Sequence, residues 1–268
     1  MEKIKDVAAR FAGLSEVEAV ALGGSRAGLN HDDNSDYDVY VYYSVPIEEY
    51  IRKEILESYC SVMEIGNWYW EYEDDCMLKT GDGLDVIYRN LDEFSGELSK
   101  IVEGYQAANG YSTCLWDNLL NCQIIYDEYG RLERAKKRFM VPYPDKLRKN
   151  IIRRNWSLIN DNLLSYSRQI KRAVLRNDRV SMLNRTSGFL DSYFDILFAL
   201  NRMTHPGEKR MVEFCKKNCT RLPKDFEENL NRLFDDMYVY PDKVNEDIQK
   251  IITELRKILV LRNSLVFR

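Results

Sequence analysis

The 268-residue sequence has no apolar run approaching the roughly 20 residues that span a bilayer, which excludes a helical membrane protein. It has only two histidines. Its six cysteines, Cys60, Cys76, Cys114, Cys122, Cys215 and Cys219, form no C-x-x-C pair, so neither a zinc site nor a disulfide framework is indicated. There is no internal repeat and no low-complexity segment. The opening MEKIKDVAARFAGL reads as an amphipathic helix without a cleavage-type signal, and a cytoplasmic protein is expected.

What the chain has is charge, unevenly placed. Residues 1–141 carry 14 Lys and Arg against 27 Asp and Glu, a net of -13, while residues 142–268 carry 25 against 16, a net of +9. An acidic half suits divalent cations and a basic half suits phosphates. The texture changes at Val141-Pro142-Tyr143-Pro144, where two prolines end a basic helical stretch. Two domains are therefore expected, residues 1–141 and 142–268.

The first half alternates strand and helix signals. A helix is expected over about 2–12, strands over Val17–Gly24 and Tyr37–Ser44, and a helix opening at Pro46. The alternation of Trp68, Trp70 and Tyr72 predicts a strand over Asn67–Glu73, and Leu84-Asp85-Val86-Ile87-Tyr88-Arg89 predicts one over Gly83–Asn90. Helices near 92–108 and 112–121 and a strand over Gln123–Asp127 complete a mixed sheet flanked by helices. After Asp145 the spacing turns helical: Ile152, Trp156, Ile159, Leu163, Ile170 and Val174 make one face, and Val244, Ile248, Ile251, Leu255 and Leu259 another. With helices near 180–201, 209–218 and 226–237, the expected fold class is α+β, a mixed-sheet domain followed by a helical bundle.

The informative stretch is Ala21-Leu22-Gly23-Gly24-Ser25, ten intervening residues that begin with Arg26, then Asp36-Tyr37-Asp38 at the head of a strand. Successive strand residues face opposite ways, so Asp36 and Asp38 share a face. Two crowded carboxylates suit Mg²⁺, which binds one or two carboxylates together with substrate phosphates. Gly24 lets the backbone approach a phosphate, Ser25 starts the turn beside it, and Arg26 adds positive charge.

These residues resemble the DNA polymerase β-like nucleotidyltransferase superfamily, in which a hydrophobic strand, Gly-Ser, about ten residues and Asp-x-Asp are followed by a third carboxylate from a later strand. Asp85 matches that position. Within the superfamily the chain is similar to the small-molecule branch of aminoglycoside and lincosamide nucleotidyltransferases, the likeness being specific only around residues 22–42 and 83–88. The resemblance implies transfer of a nucleoside monophosphate, AMP in the first instance, from an NTP to a small-molecule hydroxyl. It implies two Mg²⁺ ions on Asp36, Asp38 and Asp85, with Asp85 or Glu71 as general base. A weaker likeness covers Leu200 to Arg210 and implies a triphosphate contact for Lys209.

Trp68, Trp70 and Tyr72 are candidate walls for the acceptor, or else packing for a neighbouring subunit in a homodimer. Two alternatives stay open. A nucleic-acid-directed or protein-directed transferase shares the same carboxylates, although a pI near 5.5 argues against a nucleic-acid partner. A non-catalytic toxin–antitoxin-type component would keep the fold; retention of all three carboxylates weighs against it, and Arg202 and His205, with only two residues between them, miss the longer Arg–His spacing of partner nucleases.

Overall fold

The computed structural model describes residues 2–24, 36–69 and 71–260. The chain divides into two compact units, Met1–Lys100 with Trp116–Val141, and Ile101–Leu115 with Pro142–Arg268. Among the described residues no helix is long and apolar enough to cross a membrane.

The first unit is built on a six-stranded sheet: β1 (Val17–Gly23), β2 (Tyr37–Tyr43), β3 (Cys60–Asn67), β4 (Glu73–Leu78), β5 (Gly83–Asn90) and β6 (Gln123–Asp127). The order is β3-β4-β5-β2-β1-β6, with β2 and β5 parallel and the other neighbours antiparallel, so the sheet is mixed and the fold class is α+β. One face is apolar. Val39 and Val41 of β2, Leu84 and Val86 of β5 and Val20 and Leu22 of β1 pack with Ile4, Val7 and Phe11 of α1 (Glu2–Ala12) and with Ile55 and Leu56 of α2 (Glu49–Glu57). The i, i+3, i+7 spacing in α1 turns one stripe to the sheet. Burial of each such side chain contributes about 1.5–3 kcal/mol.

The other face is built by pairing small residues with large. Ala19 of β1 lies opposite Tyr42, Ala21 opposite Tyr40 and Gly23 opposite Asp38. A β-carbon on Gly23 would overlap the Tyr40 ring. Tyr42 packs against Phe94 of α3 (Leu91–Val102) at 5.2 Å between ring centroids. The unit also contains α4 (Cys114–Asn121) and α5 (Arg131–Phe139), tied together where the indole of Trp116 donates to the Phe139 carbonyl at 2.9 Å.

Two local expectations are corrected. Asn67 ends β3 and Glu73 starts β4, and the described residues between them, 68, 69, 71 and 72, are not in a strand. Trp68, 74% exposed, stacks on Tyr72 at 4.4 Å; Trp70 lies outside the described residues. The helix expected to open at Pro46 begins at Glu49, because Ile47 is buried and the backbone at Glu48 is still extended.

The second unit is a helical bundle. It comprises α6 (Asp145–Trp156), a π-helical turn (Ser157–Asp161), α7 (Tyr166–Leu175), α8 (Arg179–Asn201), α9 (Met211–Asn218), α10 (Phe226–Val239) and α11 (Val244–Val260). α8 is buried all round along Ser192–Leu200, the habit of a central helix. Its start is capped by Asp178, whose carboxylate accepts from the Ser181 amide at 3.0 Å. The long apolar face read over 152–174 is interrupted: Ile152, Trp156, Ile159 and Ile170 are buried, whereas Leu163 lies 73% exposed between the π turn and α7. Residues 101–115 belong to this unit because Asn155 and Asp195 hold them. The Gly110 amide donates to Asn155 Oδ1 at 3.0 Å, and the Ser112 amide to Asp195 Oδ1 at 3.0 Å.

Candidate functional site

The polar face of the sheet carries a row of acids. Parallel pairing sets Asp38 of β2 beside Asp85 of β5, antiparallel pairing sets Asp85 beside Asp75 of β4, and Asp75 lies beside Glu64 of β3. Paired residues share a sheet face, with β-carbons about 4.5–5.5 Å apart. Four carboxylates thus cross four adjacent strands in line. Asp38, Asp85 and Asp75 are half-buried, neither sealed in the core nor fully in solvent.

Two glycines make room for this row. Gly24, at φ +64°, has no β-carbon where the Asp38 carboxylate lies, and Gly83 has none where the Asp36 carboxylate lies. A side chain at either position would overlap an acid, and at Gly24 it would also meet a left-handed backbone. The structure therefore brings Asp36 against Gly83, the first residue of the strand that carries Asp85, and Asp38 against Gly24 at the end of β1. Ser25 and Arg26 lie outside the described residues. Lys209 is exposed in the turn before α9 and belongs to the helical unit.

Like charges directly opposite one another cost energy, and one residue records it. Glu73, two residues from Asp75 on the same face and only 7% exposed, has its carboxyl pushed up to about 7 by burial, then by Asp75, Asp85 and Glu71. Glu73 can hold or release a proton near neutrality. By contrast Glu71 is bound at both oxygens by Arg89, Nε at 2.8 Å and Nη2 at 2.6 Å. Arg89 stacks on Tyr40 at 4.3 Å and Phe94 at 5.2 Å. Asn67 Nδ2 donates to Asp75 Oδ2 at 2.6 Å. Among the described residues no group of three or more His, Cys, Asp or Glu side chains is placed to hold a metal ion.

Sequence reasoning missed Glu73, Asp75 and Glu64. The expected strand over Asn67–Glu73 stops at Glu73, and only pairing with β5 shows Glu73-Asp74-Asp75 to open a strand with Glu73 and Asp75 on the acidic face. Asp74 takes the other side. There it is fully buried against Arg52 at 2.8 Å, and accepts from Tyr88 Oη at 2.7 Å and the Gly66 amide at 2.8 Å. The available signal was the alternation Glu73, Asp75, Met77 against Asp74, Cys76, Leu78.

A protein family described as "Domain of unknown function (DUF4037)" matches residues 112–211. The matched segment contains Ser112, Asn155, Asp195 and His205, all of the helical unit. No curated protein matches the chain. Among solved structures the chain is similar to a nucleotidyltransferase-like protein from Exiguobacterium sibiricum 255-15, with 11% identity over 97% of this chain and 74% of that one and a TM-score of 0.44. It is also similar to an aminoglycoside 6-adenyltransferase from Bacillus subtilis, with 10% identity over 95% of this chain and 89% of that one and a TM-score of 0.28.

Proposed function

We propose that the chain is a cytoplasmic nucleotidyltransferase that moves a nucleoside monophosphate, AMP in the first instance, from an NTP to a hydroxyl of a small molecule of the aminoglycoside or lincosamide kind. The observation that carries this reading is the pairing of Asp38 with Asp85 on neighbouring strands, with Asp36 and Gly24 brought to the same corner. An acidic row with one carboxyl already forced towards protonation is the donor set that a divalent cation relieves. Asp36, Asp38 and Asp85 would hold Mg²⁺, two ions in the full complex, with triphosphate oxygens completing the shell. Magnesium, when bound, would neutralise charge on the triphosphate and acidify a hydroxyl placed beside it.

In the reaction the acceptor oxygen bonds to the α-phosphorus, the bond to the β-phosphate oxygen breaks, and pyrophosphate leaves. The acceptor's proton passes to a carboxylate. Asp85 serves there, and Glu73, with its raised affinity for protons, is a further store on the same face. Gly24 leaves the backbone open to a phosphate, with Ser25 and Arg26 following it, and Lys209 is proposed as a further triphosphate contact.

Asp85→Asn should abolish nucleotide transfer, by a factor of about 10³ or more, while leaving melting temperature equal or higher, since a charge is removed from between Asp38 and Asp75. Thermal shift with ATP and Mg²⁺, then mass spectrometry of an acceptor panel for an added nucleotide, measures both. A variant that transfers as well as the wild type sinks the reading.

A further inference from the structure

A second concave surface lies wholly within the helical unit. It is an open cleft of about 1300 Å³ walled by one stripe from each of three stretches. α7 contributes Arg168, Lys171 and Arg172, at the i, i+3, i+4 spacing of a single helix face, while its Ile170 and Ala173 turn to the core. Arg153 of α6 and Arg256 of α11 face the same space. Against these five cations the lining holds one carboxylate, Asp161.

Some basic residues elsewhere in this unit are matched: Arg232 pairs with Asp247 at 2.6 Å and Lys257 with Glu254 at 2.7 Å. Arg168, Lys171 and Arg172 have no carboxylate partner among the described residues. Concentrating like charge in a concavity is unfavourable for the empty protein and focuses its field on an anion.

The wall also contains an acceptor in want of a donor. Asn245 Oδ1 is buried and has no hydrogen-bond partner, an omission that costs the folded state about 1–3 kcal/mol. The Arg256 guanidinium lies 5.3 Å over the Trp156 ring. The π turn, closed where the Asn162 amide donates to the Ser157 carbonyl at 3.0 Å, sets Ser157 and Asn160 into the wall after Trp156. Single π turns of this kind recur at functional sites.

We propose that this cleft binds a phosphate chain of several charges that also carries a hydrogen-bond donor, as a nucleotide does, whether free or within a single-stranded RNA. The cations of α7 take the phosphates, and Asn245, whose Oδ1 is closed off from solvent in the empty cleft, accepts from a ribose hydroxyl or base amine once the ligand uncovers it. The volume accommodates a ligand of nucleotide size. The inference does not rest on the transferase reading, since none of its residues belongs to the acidic row.

The test uses the full chain without divalent cations and three probes: inorganic tripolyphosphate, ATP, and a labelled RNA strand of roughly 12 nucleotides. Calorimetry and fluorescence anisotropy over a salt series should show saturable, salt-sensitive binding of at least one probe. The K171E/R172E double variant should weaken it by about tenfold or more. Lys171→Arg should retain binding, and Asn245→Leu should weaken ATP or RNA without affecting tripolyphosphate. RNA binding without ATP binding assigns a polymer backbone; ATP binding assigns the free nucleotide. Should the charge reversal impair folding, K171Q/R172Q is read instead. The proposal is overturned if no probe saturates, if a folded double variant binds equally well, or if binding is lost in Asp85→Asn instead.

Discussion

Asp74 of the sheet unit and Asp195 of the helical unit are both buried, and they are met by different partners. In the sheet unit Asp74 meets a cation: Arg52 reaches it at 2.8 Å, both side chains are fully buried, and the guanidinium lies over the rings of Tyr72 at 4.8 Å and Tyr88 at 4.6 Å. In the helical unit Asp195 meets only neutral donors. It accepts from the Ser112 amide at 3.0 Å, the Ser112 hydroxyl at 2.6 Å and Asn155 Nδ2 at 2.8 Å. Burial then pushes the Asp195 carboxyl up to about 6, with those donors pulling the other way. Burial raises the Asp74 carboxyl as well, with the Tyr88 hydroxyl and Arg52 pulling it down, so the two aspartates differ in what opposes burial: a cation and dipoles at Asp74, dipoles alone at Asp195.

The comparison breaks most visibly at Arg52. Arg52→Met should cost about 3–5 kcal/mol at neutral pH, because Asp74 would remain buried with hydroxyl and amide donors alone. Urea unfolding followed by circular dichroism measures it, and a loss below about 1 kcal/mol would mean that Asp74 needs no cation. Asp195→Ala should cost less, about 2–3 kcal/mol, since it strands neutral donors of Ser112 and Asn155.

The same site has a pH signature. Asp195 is bound more tightly by its proton in the folded state than in the unfolded one, so its stabilising contribution is present at low pH and lost as pH rises from 3.8 towards 6. Asp195→Asn should remove that slope from the unfolding free energy. A slope that persists in this variant would place the titration elsewhere.

The smallest effect belongs to Glu73, a buried acid whose neighbours are other acids. Its contribution likewise declines as pH rises from 4.5 to about 7, and Glu73→Gln should flatten that decline by an amount on the order of 1–2 kcal/mol. Added Mg²⁺ should flatten it in the wild type too. Melting temperatures across the pH range, with and without the cation, test whether the acidic row is what raises this group.

Much of this was legible in short patterns. β5 and β6 occur at the predicted Gly83–Asn90 and Gln123–Asp127, because their apolar runs are bounded by clear turn signals. Period-two alternation was enough to expect Asp36 and Asp38 on one face. What could not be read depends on partners remote in sequence. Asp195 and Ser112 are 83 residues apart, and no local spacing announces their bond. The same holds for His205, which is fully buried between Tyr111 at 4.5 Å and Phe198 at 4.7 Å and accepts through Nδ1 from the Gly207 amide. Burial holds its imidazole down to about 4, so it stays neutral at physiological pH. The cationic stripe of α7 was countable as charge, but its gathering with Arg153 and Arg256 required the fold.

The missing β-carbons of Gly24 and Gly83 carry a consequence for descent. Because the Asp38 and Asp36 carboxylates occupy the space those carbons would take, each glycine and its acid form a linked pair of letters. A descendant that loses an acid is released to gain a side chain opposite it; one that keeps the acid is not. Diverging copies of this chain should therefore lose the two members of a pair together, and a lineage with alanine at 24 beside an intact Asp38 should carry a displaced carboxylate.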